Sequence, residues 1–158
     1  MKYIEEILPC LITMLDFNDK QIKADTCWAF SYITDGPNER IQYVLDVSIE
    51  MYHVWPTSHI IFQSGVMSKV VELLHQSADV MILTPALRTA GNIVTGSDSQ
   101  TEAMINLGLL NVFPKLLRHN KPNIVKVKDL WTDQSAHIRP EKYKTDIIFR
   151  KQHGQFRI

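Results

Sequence analysis

Apolar residues recur along this chain at intervals of three and four, separated by short polar breaks, which is the spacing of amphipathic helices. The run Ile7 to Leu15, "ILPCLITML", is preceded by Glu5 and Glu6 and reads as a core helix. The pattern then repeats. "WAFSYITDG" aligns with "RTAGNIVTG" at an offset of 60, placing Trp28 on Arg88, Tyr32 on Asn92 and Gly36 on Gly96. "VMSKVVELL" aligns with "LLNVFPKLL" at an offset of 43, placing Leu74 on Leu117 and Arg88 on Trp131. Three copies follow, and the first spacing exceeds the second by 17 residues. Each copy is predicted to run as a short helix, a turn at Gly65 or Gly108, a second helix and a longer third helix. Ser97 and Gln100 have the three-residue spacing of a capping box, which starts the short helix "SQTEAMINLG". Pro85 is expected in the first turn of its helix, where the missing N–H costs nothing.

A helical repeat of this period is the signature of an armadillo or HEAT solenoid, in which each unit buries its apolar face on its neighbours. Ideal helical rotation places Ile22, Thr26, Ala29, Phe30 and Ile33 on one arc, and Ile82, Ala86, Ala90 and Ile93 on the same arc of the next copy. That arc is expected to be buried. Ala24, Trp28 and Tyr32 lie away from it, as do Thr84, Arg88 and Asn92. A position that takes Trp in one copy and Arg in the next points to solvent rather than core.

Composition narrows the class. A hydrophobic content of 45% is enough to build a core, and two cysteines, Cys10 and Cys27, are too few for a disulfide framework, which favours a reducing compartment. No apolar run approaches the roughly 18 residues of a membrane span, so no membrane partner is expected. The zero net charge hides a split: residues 1–120 hold eight basic against thirteen acidic side chains, and residues 121–158 nine against four. The His and Cys spacings match no zinc site, and "TAGNIVTGSDS" lacks the lysine of a phosphate loop. Cys27, at the edge of the buried arc, reads as a small hydrophobe and not a nucleophile. Neither an enzyme nor a metal or cofactor is therefore expected. The basic tail interleaves Tyr143, Phe149 and Phe156 with cations, but no nucleic-acid module accompanies it, and a solvated tail is preferred to nucleic-acid binding.

The strings "ADTCWAFSYITDGPNERIQ", "TPALRTAGNIVTGSDSQTEA" and "GLLNVFPKLLRHNKPNI" closely resemble the middle armadillo repeats of the importin α (karyopherin α) family of nuclear-import adaptors, over roughly residues 6–42 and 64–125. The resemblance is to repeats five and six and the start of seven of an array of about ten, so the chain is read as a fragment or variant of that array. It implies an all-α, right-handed superhelical armadillo solenoid of about three repeats, with copies at about 1–42, 64–107 and 108–125, an insertion within 43–63 and a divergent, basic 126–158 segment that is a candidate for disorder. In the family, Trp and Asn four residues apart line a concave groove. The indoles stack on Lys or Arg stems of nuclear localisation signals, and the carboxamides bond the peptide backbone. Carried over by position, Trp28 is a stacking residue and Tyr32 stands where Asn is usual. Asp25 supplies negative charge, Arg88 replaces Trp, Asn92 keeps its type, and Trp131 marks a third position followed by Ser135 instead of Asn. The expected function is binding of basic localisation signals for nuclear import, in cytoplasm and nucleus, with no direct importin β contact through these repeats. The alternatives are a scaffold for another protein and a truncated isoform that binds little cargo.

Overall fold

The computed structural model describes residues 2–50, 65–112 and, toward the C-terminus, 115, 116, 118–122 and 124. Six α-helices follow one another: α1 (Lys2–Met14), α2 (Lys20–Thr34), α3 (Asn38–Glu50), α4 (Val66–Gln76), α5 (Val80–Val94) and α6 (Asp98–Asn106), then a 3₁₀ turn at Leu109–Val112. There is no strand among the described residues. The remainder of the 43–63 insertion, Trp131 and the 126–158 tail lie outside them; Tyr43 to Glu50 belong to α3.

Equivalent residues start equivalent helices. Asp19 accepts a hydrogen bond from the Ile22 N–H at 2.9 Å, and Asp79, 60 positions on, accepts from the Met81 N–H at 3.0 Å. Each satisfies one of the donors a helix start leaves unpaired. The capping box at Ser97 and Gln100 forms as its spacing predicts. Gly108 has φ of 86°, a left-handed conformation open to glycine at no steric cost, and turns the chain into the 3₁₀ segment.

The long helices α2 and α5 form the largest packed interface of the array. Thr89 Oγ1 donates to the Cys27 carbonyl at 3.3 Å, and Asn92 Nδ2 donates to the Ser31 carbonyl at 2.8 Å. Both partners advance together along the two helices, so α2 and α5 run parallel and side by side. The short helices repeat the relation: Gln100 Nε2 donates to the Asn38 carbonyl (2.8 Å) and to Gln42 Oε1 (3.3 Å), tying α6 to α3. Leu8, Phe30, Leu74, Leu83, Leu87, Ile93 and Met104 are wholly buried and form one continuous core. Lys69, a buried side chain on α4, makes an ion pair with the exposed carboxylate of Asp16, which follows α1. Lys115 donates to the carbonyls of Leu74 (3.0 Å), His75 (2.7 Å) and Ser77, closing the C-terminal end of α4 with a cation where the helix dipole favours one.

Two expectations are corrected. Ala24, placed on the outer stripe, is 2% exposed, whereas Ile22, placed in the buried arc, is 36% exposed. An arc drawn through the apolar positions finds the face that packs within a repeat; Ala24, Cys27 and Ser31 are buried on a further face, where α5 lies alongside. Ile82, the counterpart of Ile22, is buried in the second copy, against which the first copy packs. Pro85 is the sixth residue of α5 and not in its first turn, because the helix already starts at the Asp79 cap; its ring withholds a donor from the Met81 carbonyl.

Cys27 is fully buried, and burial pushes its thiol up to about 12, with Lys23 opposing weakly. Cys10 is exposed. A thiol reagent at pH 8 is expected to modify Cys10 in the native protein and Cys27 only after denaturant is added, since the thiolate is the reactive form. Equal rates at both sites would contradict the packing of α2 on α5.

Candidate functional site

The stripe of α2 opposite its core face carries Trp28 and Tyr32, one turn apart. Trp28 is half-buried and Tyr32 is 61% exposed. Their rings stack with centroids 5.9 Å apart and an interplanar angle of 27°. Because α5 lies parallel to α2, Arg88 projects across this pair. Its Cζ lies 5.5 Å from the Tyr32 ring centroid and 6.0 Å from that of Trp28. Its Nη2 also donates to Asp35 Oδ2 at 2.9 Å. A guanidinium over an exposed aromatic face gains about 0.5–1 kcal/mol. A solvent-exposed ion pair adds about 0–1 kcal/mol. The rings thus hold a cation, though not tightly.

Asn92 sits one turn beyond Arg88. Its Nδ2 donates to the Ser31 carbonyl and, at 3.3 Å, to Thr34 Oγ1. Those two acceptors set the amide orientation, which leaves Oδ1 as the group able to accept an N–H from a ligand.

The structure brings together four of the residues singled out from sequence: Trp28, Tyr32, Arg88 and Asn92. Asp25 is exposed and stands one turn before Trp28. It accepts from Gln21 Nε2 at 2.9 Å and lines a separate apolar cleft of about 570 Å³ with Cys10, Met14, Phe17 and Ile22. Trp131 lies outside the described residues. The structure adds Asp35, Ser31 and Thr34 to the site. Asp35 had a signal: it is the C-cap residue of α2, and a carboxylate at a helix C-terminus opposes the dipole, so a cationic partner was to be sought for it. Among the described residues no group of three or more His, Cys, Asp or Glu could hold a metal ion, and no helix is long and apolar enough to cross a membrane.

The fold and sequence both have relatives. The family model for the armadillo/β-catenin-like repeat matches residues 56–95. Importin subunit alpha-1a of rice (Oryza sativa subsp. japonica) is 39% identical over 126 residues, covering 79% of this chain and 20% of the relative. Importin subunit alpha-4 of Arabidopsis thaliana is 41% identical over 130 residues, covering 82% and 21%. The chain therefore spans about a fifth of the length of these curated relatives. Among solved structures, an engineered protein superimposes with a TM-score of 0.70 at 22% identity, covering 88% of this chain and 50% of that one. A designed armadillo repeat protein does so with 0.64 at 22%, covering 83% and 51%, and these likenesses concern the fold. With an all-helical repeat solenoid in which α2 and α5 run side by side, and about four-fifths of its length aligned to these subunits, the chain belongs to the importin α family of armadillo-repeat proteins.

Proposed function

We propose that this chain binds Lys/Arg-rich nuclear localisation signals along the trough formed by Trp28, Tyr32, Arg88 and Asn92, as a non-catalytic adaptor of nuclear import acting in cytoplasm and nucleus. The observation that supports it is the Trp28–Tyr32 pair with a guanidinium lying across it, which has the chemistry a basic peptide needs. An extended peptide laid along the stripe could stack a basic stem on the rings and donate a backbone N–H to Asn92 Oδ1. Asp25 adds negative charge one turn upstream, and Trp131 is proposed as a further stacking position. Importin β, membrane and nucleic acid are not proposed as partners of these repeats.

The test is titration of a fluorescent ten-residue Lys/Arg peptide at 50 mM and 300 mM salt. Binding is expected to weaken severalfold at the higher salt, because exposed charges are screened over about a Debye length. Trp28→Ala is expected to weaken it about fivefold to thirtyfold, the range of one desolvated cation–aromatic contact. Equal binding by Trp28→Ala and wild type removes the trough from the mechanism.

A second reading, a scaffold that packs on another protein, is favoured by the surface shared by α1 and the start of α2, where Ile7, Met14, Phe17 and Ile22 are exposed. A contiguous set of exposed apolar side chains is a surface suited to a protein partner. Under that reading Phe17→Asp abolishes concentration-dependent association and leaves peptide binding as it was.

A further inference from the structure

The chain already places a cation where a basic ligand would place its own. Arg88 comes from the second copy, and its guanidinium lies across both rings of the first, within 6.0 Å of each centroid. Asp35, at the end of α2, holds it there through a 2.9 Å contact. The Arg88 side chain is 40% exposed and that of Asp35 is 58% exposed, so the occupant is held by contacts that water and salt can replace.

From this geometry we infer that Arg88 is a built-in competitor for the cation position over Trp28 and Tyr32, and that a Lys or Arg side chain of a ligand reaches these rings by displacing it. The inference rests on the groove reading above and adds how selective that groove is. Each of the two contacts shifts an equilibrium by about twofold to fivefold, so the intramolecular occupant weakens a ligand's stacking without abolishing it. The tethered position helps Arg88, because its effective concentration is set by the α2–α5 packing and not by diffusion. The trough is therefore tuned against single basic residues and toward peptides with several cations, whose other contacts offset the displacement. High salt loosens Asp35 from Arg88 as well as the ligand from the protein, which flattens the salt response at this position relative to an unoccupied aromatic site.

The experiment uses the full chain and two probes: the ten-residue Lys/Arg peptide, and an otherwise neutral peptide with one central Arg. Arg88→Ala is compared with wild type and with Arg118→Ala, which removes one exposed positive charge elsewhere. Arg88→Gln, which removes the charge but keeps a polar side chain, carries the test if Arg88→Ala melts early. The Trp28 indole N–H resonance, assigned with Trp28→Phe, reports occupancy of the ring face in the free protein. Expected results are a shift of that resonance in Arg88→Ala but not in Arg118→Ala, and about threefold to tenfold tighter binding of the single-Arg probe by Arg88→Ala than by Arg118→Ala. The basic peptide should gain proportionately less. Binding by wild type that Arg88→Ala leaves unchanged, or weakens, overturns the inference and leaves the groove reading in place. Absence of binding by every variant overturns both.

Discussion

Phe30→Ala is expected to lower the unfolding free energy by about 3–5 kcal/mol, the usual cost of removing a fully buried aromatic from a core that cannot collapse around the gap. Phe30 is wholly buried near the middle of α2 and is the largest of the fully buried side chains. It is flanked in sequence by half-buried Trp28 and exposed Tyr32, so one helix carries both the anchor and the site. Domains of this size are stable by about 5–15 kcal/mol, and the loss takes a large part of that margin. Trp28→Ala removes a ring that already meets solvent and is expected to be the milder change for stability and the harsher one for binding. Urea titrations separate the two: the Phe30→Ala midpoint falls at an unchanged slope if the native fold survives. A loss below about 1 kcal/mol would mean that α2 is not seated as described.

Gln100→Ala is expected to cost about 2–3 kcal/mol. The side chain of this 2% exposed residue serves two structures at once. Within α6 its Oε1 accepts the Ser97 N–H at 2.9 Å and completes the capping box. Across the repeat its Nε2 reaches the Asn38 carbonyl and Gln42 Oε1 of α3. Loss of the cap accounts for about 1 kcal/mol. The two inter-helix bonds account for about 0.5–1.5 kcal/mol each, less the solvation they regain. Gln100→Glu separates the roles. It keeps an acceptor for the Ser97 N–H but turns a carboxylate toward two oxygens, so burial and those acceptors hold its folded-state pKa above the unfolded value near 4.3. The variant's penalty is then small at pH 4, where a protonated carboxyl can donate, and grows as pH rises through that window. Parallel melts of Gln100→Ala and Gln100→Glu at pH 4 and pH 7 check this. A Glu variant whose stability relative to wild type is the same at both pH values would show that the inter-helix bonds contribute nothing.

Much of the site was legible as a pattern and little of it as a set of contacts. That Trp28 and Arg88 hold equivalent places could be read from an offset of 60. That the guanidinium of the second lies on the ring of the first depends on the spacing of two parallel helices, which no residue encodes alone. Asn92 was expected to face a ligand; its amide donor is instead committed to the Ser31 carbonyl, and an acceptor is what it can offer. Asp35 carries only a local signal, its misfit at a helix C-terminus, because its partner stands 53 positions away. The same distance separates Asp16 from Lys69, and Lys115 caps a helix about 40 residues earlier.

Periodicity, caps and the alignment of copies by themselves determined the helices, the capping box at Ser97 and Gln100 and the outward stripe of Trp28 and Tyr32. These depend on neighbours within one or two turns, where covalent geometry fixes which side chains meet. Tertiary packing alone decided that Ala24 is sealed while Ile22 meets solvent, and that Arg88 and Asp35 close over the aromatic pair. Those outcomes depend on which helix lies alongside and at what distance, a consequence of the whole interface that a single helix's sequence does not contain.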